Sequence, residues 1–200
     1  EWRVYDMSEE SRQRTGAPMT NMLHDKGLTT DIGWQNKDFA GNTVNANRSQ
    51  LYRMRKWQRR ARVSSQNERN LSVALAELDR ICSRLEIPRP IREHGALIYR
   101  RALENRVCRG RSIEAVVAAS VYLGCRQCGV PRTLDEVSMA ARTGRKEIGR
   151  TSRFMVRKLK MRVSPPKARD FTARFCSLLL LPPEVESYAN ELIQQIEHNE

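Results

Sequence analysis

Part of this chain of 200 residues is written twice. Arg80-Ile-Cys-Ser-Arg-Leu-Glu-Ile-Pro88 is matched by Arg174-Phe-Cys-Ser-Leu-Leu-Leu-Leu-Pro182, with Arg, Cys, Ser, Leu and Pro identical at an offset of 94 residues. The same offset pairs Ile91 with Val185 and Ile98 with Leu192. Self-similarity at fixed spacing signals a tandem structural unit, and it limits the fold to one that can be built twice in succession. Only two helices' worth of chain follows the second start, so the second copy is expected to be cut short.

The unit itself reads as five helices. Ser65 and Glu68 form a capping-box pair ahead of Leu71, Leu75, Leu78, Cys82 and Leu85, which recur at helical spacing. Pro88 and Pro90 close that helix and open a second through Ile91, Gly95, Ile98, Tyr99 and Ala102. Ser112 caps a third, and its residues from Ala115 to Leu123 include no charge. A helix apolar on every side belongs at the centre of a bundle. Gly129 and Pro131 stop it, and Thr133 with Glu136 forms a second capping box, for a short helix through Leu134, Val137 and Ala140. Gly144 turns the chain into a fifth helix, with Ile148, Met155 and Leu159 as expected buried contacts. Strand signals are missing, so the fold class is all-α.

Ahead of the repeat the pattern is different. Residues 1–48 hold Gly16, Pro18, Gly27, Gly33 and Gly41 among Asn, Thr and Asp, with no lasting period except around Leu28 to Ile32. They read as an extended, poorly ordered arm. From there to residue 63, Leu51, Met54, Trp57 and Ala61 form one apolar stripe on a short helix otherwise rich in Arg and Lys. The expected organisation is an arm over 1–48, a basic helix over 49–63, a first repeat over 64–163 and the start of a second over 168–200. The chain opens at Glu1 rather than Met, as expected of part of a longer protein.

Charge narrows the function. The formal net charge is +13, but residues 51–174 hold 30 basic and 11 acidic side chains, while residues 175–200 hold five Glu and no Lys or Arg. An excess focused on the middle of the chain points to a polyanion, with nucleic acid the expected partner. The five cysteines are odd in number, and no apolar run approaches a membrane span, so neither a disulfide framework nor a membrane is expected. His24, His94 and His198 are isolated, and no catalytic residue is expected. Two motifs mislead. Gly144 to Thr151 imitates a phosphate-binding loop, but Arg150 stands where that loop needs Lys, and a helix precedes it. Cys125-x-x-Cys128 imitates half a zinc site without a second pair, so no metal is expected. On spacing alone, residues 133–162 also suit the reading head of a sequence-specific helix-turn-helix regulator, which is the alternative reading.

Several separated motifs then point one way. Glu1-Trp-Arg3, Arg12-Gln-Arg-Thr-Gly16 and Gly27-Leu-Thr-Thr-Asp-Ile-Gly33 resemble the region that follows the zinc ribbon in transcription factor B of archaea and its eukaryotic relative, transcription factor IIB. Gly110-Arg-Ser-Ile-Glu114, Cys125-Arg-Gln-Cys-Gly-Val-Pro-Arg-Thr133 and Lys146-Glu-Ile-Gly-Arg150 resemble that family's first cyclin-like repeat, and the restart near residue 170 resembles its second. Leu51 to Arg62 is closer to the archaeal pattern.

The resemblance implies a cyclin-like five-helix repeat and a bridging role at promoters. Its implied partners are promoter DNA, TATA-binding protein and RNA polymerase, with no small-molecule substrate. It puts DNA contacts at Arg109, Gly110, Arg111, Ser112 and Arg150, and contacts to TATA-binding protein at Arg126, Arg145 and Lys146. Polymerase contacts would come from Arg12, Arg14, Thr15 and Gly16 of the arm and from Arg53, Lys56, Trp57 and Arg60 of the basic helix. No cofactor is expected in this chain; the family's zinc belongs to a ribbon that would precede it. The implied location is on chromosomal DNA, in the cytoplasm of an archaeon or the nucleus of a eukaryote.

Overall fold

The computed structural model describes residues 19–29, 32, 34, 36, 43, 47–62 and 65–199. Among the described residues there are eight helices and no strand: α1 (Arg48–Arg62), α2 (Gln66–Arg84), α3 (Arg89–Glu104), α4 (Ile113–Gln127), α5 (Leu134–Ala140), α6 (Arg145–Leu159), α7 (Arg169–Leu178) and α8 (Pro183–Asn199). Two compact units meet inside α2, between Glu77 and Leu78.

The helix ends form where side chains can satisfy the free backbone groups. The Ser65 hydroxyl accepts from the Glu68 amide at 3.1 Å, and the Glu68 carboxylate accepts from the Ser65 amide at 3.2 Å. Thr133 and Glu136 make the same reciprocal pair, at 3.2 and 2.8 Å. Ser112 Oγ accepts from the Ala115 amide at 3.2 Å and starts α4. Gly144 precedes α6 with an ordinary negative φ, so its turn does not depend on glycine.

α4 is the axis of the second unit, packed between α3 and α6. Ala115 through Val121, with Leu123 and Cys125, are at most 2 % exposed. Each fully buried Val or Leu of such a helix contributes roughly 1.5–3 kcal/mol. α3 crosses it at two glycines: a Cβ on Gly124 would stand 3.2 Å from Gly95 Cα. α6 contributes Ile148 and Met155 to the core, but Leu159 is only half-buried, and the buried positions between them are Thr151 and Ser152. Ser152 can be buried because its hydroxyl donates to the Gly149 carbonyl at 3.1 Å.

The 94-residue repeat is also a repeat of backbone geometry. At the end of α2 the Ile87 amide donates to the Cys82 carbonyl at 2.9 Å; at the end of α7 the Leu181 amide donates to the Cys176 carbonyl at 3.0 Å. Between them Glu86 and Leu180 take φ of 52° and 53°. Pro88 and Pro182 then each accept at the next helix start, from Ile91 and Val185, both at 3.1 Å. Burial does not repeat. Ile81, Cys82 and Ile87 are at most 1 % exposed, whereas Phe175 and Leu181 are 41 % and 42 % exposed.

In the first unit the arm is only partly as expected. Residues 19–29 form a compact turn in which the Thr20 amide donates to the Lys26 carbonyl at 3.2 Å and the Gly27 amide to Asp25 Oδ1 at 3.0 Å. Farther on, the Ile32 amide donates to Gln58 Oε1 at 3.0 Å, and Arg55 bonds Asn36. The half-covered side of α1 is therefore Leu51, Arg55 and Gln58, not the expected stripe. Met54 and Trp57 of that stripe are 49 % and 64 % exposed, and Ala61 is exposed. An amide and a guanidinium can hold a passing backbone by hydrogen bonds, which an apolar periodicity does not register.

Candidate nucleic-acid interface

The loop from Arg109 to Ser112 joins α3 to α4, and α6 fixes its position. Ser112 Oγ donates to Glu147 Oε1 at 3.1 Å, tying the start of α4 to the first turn of α6. The Arg111 guanidinium lies 4.1 Å from the Phe154 ring centroid, two turns farther along α6. Positions 147, 150 and 154 share one side of a helix, so exposed Arg150 rises between these two anchors. Arg109, Gly110, Arg111, Ser112 and Arg150 are thereby gathered at one edge.

Gly110 has φ of +76°, which glycine adopts without penalty, and nothing lies within 4 Å of where its Cβ would be. The backbone there is bare and open to a close neighbour. Arg109 beside it is exposed, while Arg111 is half-buried by its stacking. The Ser112 hydroxyl already serves Ala115 and Glu147, so the cationic side chains and the bare backbone are what this edge offers to a phosphate.

Arg145 and Lys146 begin α6, both exposed, beside the Ser112–Glu147 bond. Arg145 pairs with Asp135 at 3.1 Å, but both partners are mostly exposed, so water screens the pair. Arg126 stands apart from these two. It is on the last turn of α4, about 20 Å along the helix from Ser112. There it bonds the Ser164 carbonyl, while Gln127 donates to the Arg162 carbonyl at 3.3 Å. The three expected contacts to TATA-binding protein are therefore not one patch: Arg126 holds the segment leaving α6, and only Arg145 and Lys146 stay together.

On α1, Arg53, Lys56, Trp57 and Arg60 are all exposed at i, i+3, i+4 and i+7, one continuous stripe. The Arg60 guanidinium is 5.4 Å from the Trp57 ring centroid. Arg12, Arg14, Thr15 and Gly16 lie outside the described residues.

The misleading motifs resolve by placement. Residues 145–159 are helical, so Gly149 lies within α6 and no phosphate-cradling loop forms there. Cys125 is fully buried, and burial pushes its thiol up to about 11; Cys82, likewise buried, is pushed up to about 12. Neither is a thiolate at neutral pH. Among the described residues no three His, Cys, Asp or Glu side chains are grouped to hold a metal ion, and no helix is long and apolar enough to cross a membrane.

Sequence reasoning missed two cationic contacts of this molecule, Arg126 with Ser164 and Arg59 with Trp34. Each joins residues 25 or more positions apart and leaves no local periodicity. An isolated tryptophan in a stretch rich in Gly and Asn was the available signal for the second.

Helices α2 to α6 thus follow one another in an all-helical arrangement, with a basic edge at the start of α4. Residues 67–158 match the family model for the transcription factor TFIIB repeat. Along nearly its whole length the chain is 55 % identical to a transcription initiation factor IIB of Methanococcus aeolicus, over 197 residues, 98 % of this chain and 59 % of that protein. Against those of Archaeoglobus fulgidus and Methanosarcina mazei it is 52 % identical in each case, over 100 % of this chain and 62 % and 60 % of theirs. Residues 67–158, a little under half of the chain, are thus similar to the TFIIB repeat, and these relatives, matched along nearly the whole chain, are transcription initiation factors. The chain spans about three fifths of the length of these relatives.

Proposed function

We propose that this chain acts in transcription initiation as an adaptor on promoter DNA, assembling with TATA-binding protein and RNA polymerase to help DNA opening and start-site selection. The observation that carries the reading is the Arg109–Ser112 loop, pinned to α6 at Glu147 and Phe154 in a chain so similar to archaeal initiation factors. Phosphates would meet Arg109, Arg111 and Arg150 beside the bare backbone at Gly110. Arg145 and Lys146 would meet acidic groups of TATA-binding protein next to that edge. The Arg53, Lys56, Trp57 and Arg60 stripe would dock on polymerase, with Trp57 as its apolar anchor. This places the chain on chromosomal DNA, in the cytoplasm of an archaeal cell.

A gel shift on a TATA-containing duplex, with and without archaeal TATA-binding protein, tests this reading. A supershift that requires that protein is expected. Its affinity should fall with salt by about 0.9 log units per log unit for each phosphate contact. Tight sequence-selective binding without TATA-binding protein would replace the adaptor by a helix-turn-helix regulator reading DNA through α6.

A further inference from the structure

α1 carries seven basic side chains and no acidic one. Trp34 lies beside the Arg53–Arg60 stripe, whose Lys56 and Arg60 face it. Trp34 lies between two residues bonded to α1: Ile32, whose amide donates to Gln58, and Asn36, which accepts from Arg55. The Arg59 and Arg55 guanidiniums stand 4.8 and 5.7 Å from the indole centroid. With Tyr52, Lys56 and Arg60 these residues line a cleft of about 250 Å³. Trp34 is nonetheless 71 % exposed and Tyr52 63 % exposed. Two large aromatic faces are thus kept in water, one of them positioned from both sides, within a field of cations.

An exposed aromatic face inside a cationic groove has one well-matched ligand chemistry. Bases offer π-faces to stack on, whatever their identity, and the phosphates between them offer charge to neutralise. A base in a duplex has both faces occupied by its neighbours, so stacking on Trp34 requires an unpaired one. We propose that this cleft binds single-stranded DNA, one unpaired base stacking on Trp34 while Arg55, Lys56 and Arg59 take the adjoining phosphates. This deepens the initiation reading and rests on it for its setting: promoter opening would supply the unpaired strand.

The test uses the full chain with Trp2 and Trp57 replaced by Phe, leaving Trp34 as the only tryptophan. A thymidine oligomer of about 15 nucleotides, within the span such grooves cover, is titrated against a blunt duplex of the same length. Quenching of Trp34 by the single strand is expected, with little quenching by the duplex. In the otherwise unaltered chain Trp34→Ala should weaken single-strand binding at least about fivefold, the lower end for one lost stack. Trp34→Phe should recover part of that loss. Arg59→Gln, which keeps the aromatic, should lower the salt dependence by about 0.7 per lost phosphate contact.

Binding seen by anisotropy without Trp34 quenching, or an unchanged affinity in Trp34→Ala, would overturn the proposal in favour of phosphate contacts alone. Equal quenching by duplex, or quenching by an acidic peptide and not by the strand, would overturn it as well. The supershift depends on residues 109–112, so it should survive Trp34→Ala. Stacking without a supershift would sink the initiation reading and leave the cleft standing.

Discussion

The end of α2 and the end of α7 are the same structure in two environments. Both close with an amide donating back to a cysteine carbonyl, both place a non-glycine residue at φ near +52°, and both pass through proline into the next helix. At the first, Ile81 and Ile87 are at most 1 % exposed; at the second, their counterparts Phe175 and Leu181 are 41 % and 42 % exposed. Local sequence therefore sets how the helix ends, and a neighbour decides whether that end is buried. The first copy has the charge-free α4 to pack on. Among the described residues α7 and α8 have each other and an ion pair, Arg174 with Glu136.

The sharpest way to break the comparison is to truncate the corresponding position in both copies. Ile87→Ala should cost roughly 2–5 kcal/mol in urea unfolding, as for a buried aliphatic, whereas Leu181→Ala should stay under about 1 kcal/mol. Equal losses would mean that the second copy is held as firmly as the first. Next in size is Gly124→Ala, which pushes a methyl against Gly95 and should cost about 1–3 kcal/mol. The corresponding loss for Gly144→Ala, where nothing lies within 4 Å, should be near zero.

The ion pair makes the attachment of α7 to Glu136 of α5 dependent on pH. Burial would push the Glu136 carboxyl up, but hydrogen bonds from Arg174 and the Thr133 amide outweigh it and hold the group below the usual value of 4.5. A lowered folded-state pKa adds stability that is present above the unfolded value and lost as pH falls through the folded one. The α7 amide resonances should therefore shift below about pH 4.5 while those of α3 do not, and Glu136→Gln should abolish the difference.

At the Arg109–Ser112 loop, Arg109→Ala with Arg111→Ala should weaken the promoter complex more than Arg157→Ala with Arg162→Ala, whose exposed side chains take no part in the Ser112–Glu147 and Arg111–Phe154 anchors. Equal effects in a gel shift would remove the loop from the interface. The smallest expected effect is Glu86→Gly, which relieves a left-handed residue and should raise stability by about 0.5–1 kcal/mol. Leu180→Gly should leave the global midpoint unchanged.

Much of this was legible before the fold was known, for physical reasons. Ser65, Ser112 and Thr133 cap because a hydroxyl three residues ahead of a free amide has few better partners. The charge-free run from Ala115 packs inside because, apart from Ser120 and half-buried Tyr122, its side chains would offer water only carbon. Gathering Arg109–Ser112 with Arg150 required Phe154 and Glu147, which no local pattern connects to the loop. The same limit hid the true covered side of α1 and the retreat of Arg126 to Ser164, since both are bonds between distant polar groups.

The tight meeting of Gly95 with Gly124 has a mechanical consequence. Backbones this close resist rolling and sliding, so a tilt of α4 is expected to carry α3 with it. One end of α4 carries the basic Arg109–Ser112 loop, and the other grips the chain at Arg162 and Ser164 on its way to α7. A tilt of about 5° imposed at the loop would swing the far end by about 2 Å over a helix of this length. A load on the Arg109–Ser112 loop would thus steer the segment that begins the second copy, with α4 as the lever.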